Sequence, residues 1–148
     1  MHSRALPIFF PRWRFAVPLL WLSFAAWIAL LFYASSQPGK IGPENPILYW
    51  DKILHFAFFS GGAMSLGASI RATFAIRWAT IFLVVMVLLC GLGLGDEIHL
   101  LCVTGRSGGD PFDWLADLLG TAAGLAALRL LYVQRPPAPA SGSLSAPE

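Results

Sequence analysis

Charge is what this sequence has least of. Asp, Glu, Lys and Arg make up 12% of its 148 positions, against 57% for hydrophobic residues; soluble domains run near 25% and about 45–50%. That balance excludes a soluble globular core and is the balance of an integral membrane protein. Cysteine is almost absent too. Cys90 and Cys102 are the two there are; twelve residues along a continuous helix is about 18 Å, too far for a disulfide. Neither has the C-x-x-C spacing of a metal ligand, so both read as apolar filler. The apolar runs are long and uncharged through their middles and strict apolar/polar alternation is absent, which favours helices over an outer-membrane barrel. H-E-x-x-H, a nucleophilic serine motif and a phosphate-cradling glycine loop are all missing, so no cofactor or metal is expected from motifs. No basic tract points to nucleic acid, and the net charge of +2 is accounted for by topology.

What is present is four apolar runs of the roughly 20 residues a spanning helix needs, at about 15–33, 52–70, 78–95 and 114–133. The expected architecture is all-α: an integral membrane four-helix bundle over 15–134, with a basic flank at 1–14 and a Pro/Ser/Gly-rich tail at 135–148 that reads as disordered. The first run is longer than the apolar core of about 7–15 residues in a secretory signal peptide, so it reads as an anchor rather than a cleaved leader. The connector from Ser35 to Trp50 carries Pro38, Gly39, Gly42, Pro43 and Pro46 and reads as an irregular turn.

Charge placement orients the bundle. With the amino terminus inside, Arg4, Arg12, Arg14, Arg71, Arg77, Arg129 and Arg135 flank the inner face, seven of the ten basic residues; short loops rich in Lys and Arg stay cytoplasmic, so both termini are expected there. Every acid except Glu148 then falls on the outer side. Asp51, His55, Asp96, Glu97, His99, Arg106, Asp110, Asp113 and Asp117 gather from three chain segments at one face. Asp51 is placed to cap the second helix, with His55 one turn deeper on the same face. Asp113 and Asp117 share a face of the fourth. Asp96 and Asp110 read as solvated loop charges. Gly120/Gly124 and Gly91/Gly95 have the small-xxx-small spacing that lets helices approach closely, within the chain or in a homo-oligomer.

Ionisable groups in so apolar a chain are expensive and point to function. Three chemistries fit them. The first is recognition of a polar, membrane-attached ligand, with Arg106 pairing to phosphate or carboxylate and Glu97, Asp113 and Asp117 accepting amide, hydroxyl or ammonium donors. The second is an outward-facing metal-dependent or acid/base enzyme using His55, His99, Glu97 and the aspartates, although Glu97 and His99, two apart, point to different faces of a helix. In the third, the groups satisfy one another and staple three helices through an Asp51/His55 pair and an Arg106 bridge to Asp113 or Asp117. A transporter is disfavoured because the inner halves of the spans carry almost no polar residues.

The ordered set Asp51-Lys52-Ile53-Leu54-His55-Phe56, then Glu97, Gly105-Arg106, and Asp113, Asp117, Gly120 and Gly124 resembles the VanZ-like membrane proteins over about Ser35 to Val133. Their pattern runs D-K-x-x-H-F, an acid shortly before P-G-R, then D-x-x-x-[ND]-x-x-G-x-x-x-G. The resemblance implies a multi-pass protein of the bacterial plasma membrane acting on the cell envelope, since founding members are associated with resistance to the glycopeptide teicoplanin. The partners it implies are the bilayer and an anionic lipid or cell-wall precursor. It hands over no reaction, and an enzyme is the less expected outcome. The ligand-binding set expected from the polar cluster itself is Asp51, His55, Glu97, His99, Arg106, Asp113 and Asp117. Leu100 and Thr104 stand where the family carries Gln and Pro, and the stretch from Arg106 to Asp113 is one residue longer, with Gly108-Gly109-Asp110-Pro111 as a turn.

Overall fold

The computed structural model describes residues 16–38, 50–105 and 108–133. They form four helices: α1 (Ala16–Ser35), α2 (Trp50–Thr73), α3 (Trp78–Leu100) and α4 (Pro111–Val133). Helices of 20 to 24 residues are about 30–36 Å long at 1.5 Å per residue, and the hydrocarbon layer is about 30 Å thick. All four are long and apolar enough to cross a bilayer. Leu19, Leu22, Leu83, Val87, Leu130 and Val133 are exposed on the outside of the bundle, as the lipid-facing side of a multi-pass membrane protein requires. The helices outrun the apolar windows at their polar ends. α3 continues to Leu100 and α4 begins at Pro111, so Asp96, Glu97 and His99 belong to the last turns of α3 rather than to a loop.

Lipid offers little hydrophobic drive for helices to associate, so contact rests on small residues and on polar groups across interfaces. α2 and α4 form the tightest pair. A Cβ on Gly120 would collide with the carbonyl oxygen of Phe56, and one on Gly124 with that of Ser60; the bare backbones therefore meet directly. Ser60 Oγ lies 2.9 Å from the Gly120 carbonyl, to which it donates. The Gly120/Gly124 strip is thus taken up by the chain's own α2. The Gly91 and Gly95 positions of α3 face open space.

Trp27 packs α1 onto α2. Trp27 lies over Gly62, where a Cβ would come within 2.9 Å of its ring, donates from Nε1 to the Phe58 carbonyl at 2.9 Å, and stacks between Phe24 and Phe58 at 5.7 and 5.1 Å. At the Thr73 end, Trp21 Nε1 donates to Thr73 Oγ1 at 2.9 Å.

Along α3 the buried stripe reads Ile81, Val85, Leu89, Gly93, then Asp96, Glu97 and Leu100. Along α4 it reads Asp113, Ala116, Asp117, Gly120, Thr121, Gly124, Leu125 and Leu128. The inner faces of both helices therefore change from aliphatic to acidic in the same direction. The apolar core of Trp27, Leu31, Phe59, Leu66, Ile70, Ile81, Val85 and Leu89 fills the middle and the Thr73 side. The Trp50 end, where α1 and α3 finish and α2 and α4 start, carries the carboxylates.

Candidate functional site

Two helix starts and one helix end build this polar site. The first turn of α2 supplies Asp51 and Lys52, and the next turn supplies His55. Lys52 is the hub: its Nζ lies 2.9 Å from Asp51 Oδ2, 2.6 Å from Asp110 Oδ2 and 2.7 Å from Asp113 Oδ1. The Asp113 oxygen is tied to the site through this ion pair. Asp51 is 60% exposed and Asp113 is 10% exposed at the side chain, so the ammonium links solvent to the interior.

α4 starts at an Asp-Pro pair. Asp110 Oδ1 accepts the Phe112 N–H at 2.8 Å, and Pro111 occupies the first helical position, where a missing N–H costs nothing. The Asp110 N–H in turn donates to Glu97 Oε2 at 3.0 Å. Gly109 permits this clasp by adopting φ +78°, a region that disfavours side chains. Gly108 lies against the backbone of Glu97 and Leu101, leaving no room for a Cβ. The Gly-Gly-Asp-Pro segment thus closes the α3–α4 corner onto Glu97.

The second layer lies deeper. His55 Nδ1 sits 2.9 Å from Asp117 Oδ1, and His55 Nε2 sits 4.0 Å from Asp113 Oδ1. Asp117 is 1% exposed, and its Oδ2 lies 2.6 Å from where a Gly93 Cβ would be; only glycine on α3 leaves space for this carboxylate. Glu97 is 3% exposed. Its Oε1 and the Oδ2 of Asp117 have no hydrogen-bond partner among the described residues. Trp114 braces the layer from the side, donating from Nε1 to the Cys90 carbonyl at 3.1 Å.

Several expectations are corrected by this geometry. His55 pairs with Asp117 across helices, not with Asp51 on its own helix, and Asp51 pairs with Lys52 instead. Asp96 is not a solvated loop charge: it is 4% exposed and accepts a hydrogen bond from Ser35 Oγ of α1. Asp110 is a cap and a partner of Lys52 rather than a loose turn residue. His99 turns away to α1, with Nε2 3.2 Å from Ser36 Oγ and its ring edge-on to Phe32. Arg106 lies outside the described residues. Lys52 was missed as a site residue, though its position directly after Asp51 in the D-K-x-x-H run was the signal that could have found it. The Asp-Pro pair likewise marks the helix start at Pro111, two residues before Asp113.

Among the described residues the site holds six carboxylates, Asp51, Asp96, Glu97, Asp110, Asp113 and Asp117, against Lys52 and His55. Buried carboxylates need a compensating cation or donor, so the cluster can accept N–H and O–H groups or hold positive charge. A groove of about 660 Å³ opens beside it, lined at one end by Asp51, Lys52 and Asp110 and along α4 by Phe112, Leu115, Ala116 and Leu119.

The Lys52 ammonium and the Phe112 N–H hold the Asp110 carboxyl below the usual carboxylate range. A lowered folded-state pKa gives stability that is present above the unfolded value and is lost as pH falls through the folded one. The melting temperature of the wild type should therefore fall more between pH 6 and pH 3 than that of Asp110→Asn, whose amide keeps the cap but not the charge.

No family model, curated protein or solved structure matches the chain.

Proposed function

We propose that the chain is a VanZ-like protein of the bacterial plasma membrane that binds the polar headgroup of a lipid-anchored envelope molecule at an outward-facing site. The carrying observation is the groove beside Lys52, with charged groups at one end and four apolar side chains of α4 along its length. That profile suits an amphiphile whose headgroup meets Asp51, Lys52 and Asp110 while its chains follow Phe112, Leu115 and Leu119. Carboxylates in partly dry surroundings bind ammonium, amide and hydroxyl donors strongly; Arg106, two residues before Gly108, would add an anion partner. The charge asymmetry of the loops supports an outward site with both termini cytoplasmic. Tolerance to glycopeptides would follow if the bound molecule is a cell-wall precursor.

A purely structural role for the cluster has its own support in the Lys52 hub, which already joins α2 to the α4 corner. Co-purified lipid separates the two. Protein extracted in mild detergent should carry a defined lipid, identified by mass spectrometry as a phospholipid or a cell-wall precursor. Leu119→Trp, which fills the groove from a 52% exposed position, and Arg106→Ala should each lower its occupancy about tenfold, equivalent to roughly 1.4 kcal/mol, without loss of folded protein. Equal lipid in wild type and both variants would leave the structural role standing alone.

A further inference from the structure

We infer that His55, Glu97 and Asp113 form a binding site for one divalent transition-metal cation of the zinc type. One nitrogen and two carboxylate oxygens from these residues lie within 4.8 Å of one another, and the three come from α2, α3 and α4. Ligand atoms about 2.0–2.2 Å from a common zinc lie some 3–4 Å apart. The His55 Nε2 to Asp113 Oδ1 distance of 4.0 Å already meets that, and a Glu97 oxygen belongs to the same 4.8 Å group.

Two independent features point to an ion rather than to mutual satisfaction. Glu97 is 97% buried, since 3% is exposed, yet its Oε1 has no hydrogen-bond partner among the described residues. Its other oxygen is occupied by the Asp110 N–H, so the carboxylate is fixed with one oxygen to spare. Secondly, His55 Nδ1 is engaged by the buried Asp117 carboxylate at 2.9 Å. With the Asp117 carboxylate as acceptor, Nδ1 donates, and Nε2, 4.0 Å from Asp113 Oδ1, is the nitrogen left for a metal, the arrangement in which a carboxylate orients a zinc-binding histidine. Asp117 is therefore a positioning residue. A second acidic group, Asp51, Asp110 and Asp113, already surrounds the Lys52 ammonium; Asp113 belongs to both groups, so its carboxylate would be shared between that ammonium and the metal.

The donor set selects the ion. Imidazole favours zinc, copper, iron and nickel, while an all-oxygen site would favour magnesium or calcium. Three protein ligands leave one position of a tetrahedral zinc open, so the ion could take a water or an oxygen of a ligand. A divalent charge would also offset the excess of carboxylates at this end of the bundle.

Purified full-length protein in detergent would be stripped with a chelator, loaded with zinc chloride alone and desalted, and its metal counted by elemental mass spectrometry. The wild type is expected to retain close to one zinc per chain. Glu97→Gln keeps an acceptor for the Asp110 N–H and should weaken retention at least about tenfold, as should His55→Ala; Asp117→Asn should weaken it about 10–100-fold. Gel filtration confirms that each variant is folded, and if His55→Ala is not, Glu97→Gln decides. Wild-type protein without retained zinc, or a folded Glu97→Gln chain that retains as much zinc as the wild type, would overturn the assignment. Zinc is counted whether or not lipid is present, so failure of the headgroup reading leaves this result intact.

Discussion

Lys52→Met should destabilise the folded chain by about 2–3 kcal/mol, the scale of losing a charged partner from a buried acid. The Lys52 side chain is 19% exposed and Asp113 is 10% exposed, so removal of the ammonium leaves Asp113 uncompensated in the protein. Asp51 and Asp110 are 60% and 36% exposed; water screens them, and they add little. The effect should therefore be recovered in large part by a second change, Asp113→Asn, which removes the stranded charge. Thermal unfolding in detergent of the two single variants and the double variant forms a cycle that isolates the pair. If Lys52→Met unfolds at the wild-type temperature, the hub is a surface ion pair of the weak kind and not the centre of the polar end.

Gly120→Leu should be at least as damaging. A Cβ at position 120 would already overlap the Phe56 carbonyl group, and backbone atoms cannot move aside as a side-chain tip can. Either α2 and α4 separate or the helix distorts; overpacking of this type costs about 1–3 kcal/mol and more where backbone must shift. Separation would also break the Ser60 to Gly120 hydrogen bond and pull His55 away from Asp117, so folded yield in detergent should fall sharply. Gly91→Leu is the matched control, because nothing lies within 4 Å of a Cβ at that position. Equal folded yields for Gly120→Leu and Gly91→Leu would mean that the α2–α4 crossing is not held by direct backbone contact.

The two variants probe the same joint from different sides. Gly120 sets how closely α2 and α4 approach, and that approach fixes the register in which Lys52 and His55 of α2 meet Asp113 and Asp117 of α4. Gly93 does the corresponding service on α3 by leaving space for the Asp117 carboxylate. The polar end is thus positioned by glycines one or two turns away that carry no chemistry themselves.

The number of spanning helices, their rough limits and the segments that carry the acids were all determined by sequence, because hydropathy over about 20 residues reports transfer into lipid and needs no knowledge of neighbours. The small-residue spacing of Gly120 and Gly124 was legible for the same reason, as a local property of one helix face. Partner choice was not. A spanning helix is apolar all round, since lipid is as apolar as the protein interior, so the pattern does not say which face of α3 turns inward. Rotation of α3 buries Asp96 against Ser35 and Glu97 against the α4 corner while it sends His99 to Ser36. Nor does the sequence fix helix register, which gives His55 to Asp117 rather than Asp51 and makes Lys52 a shared partner of three carboxylates. Those are properties of close packing among α2, α3 and α4, set by where backbones can touch, and only the tertiary structure decides them.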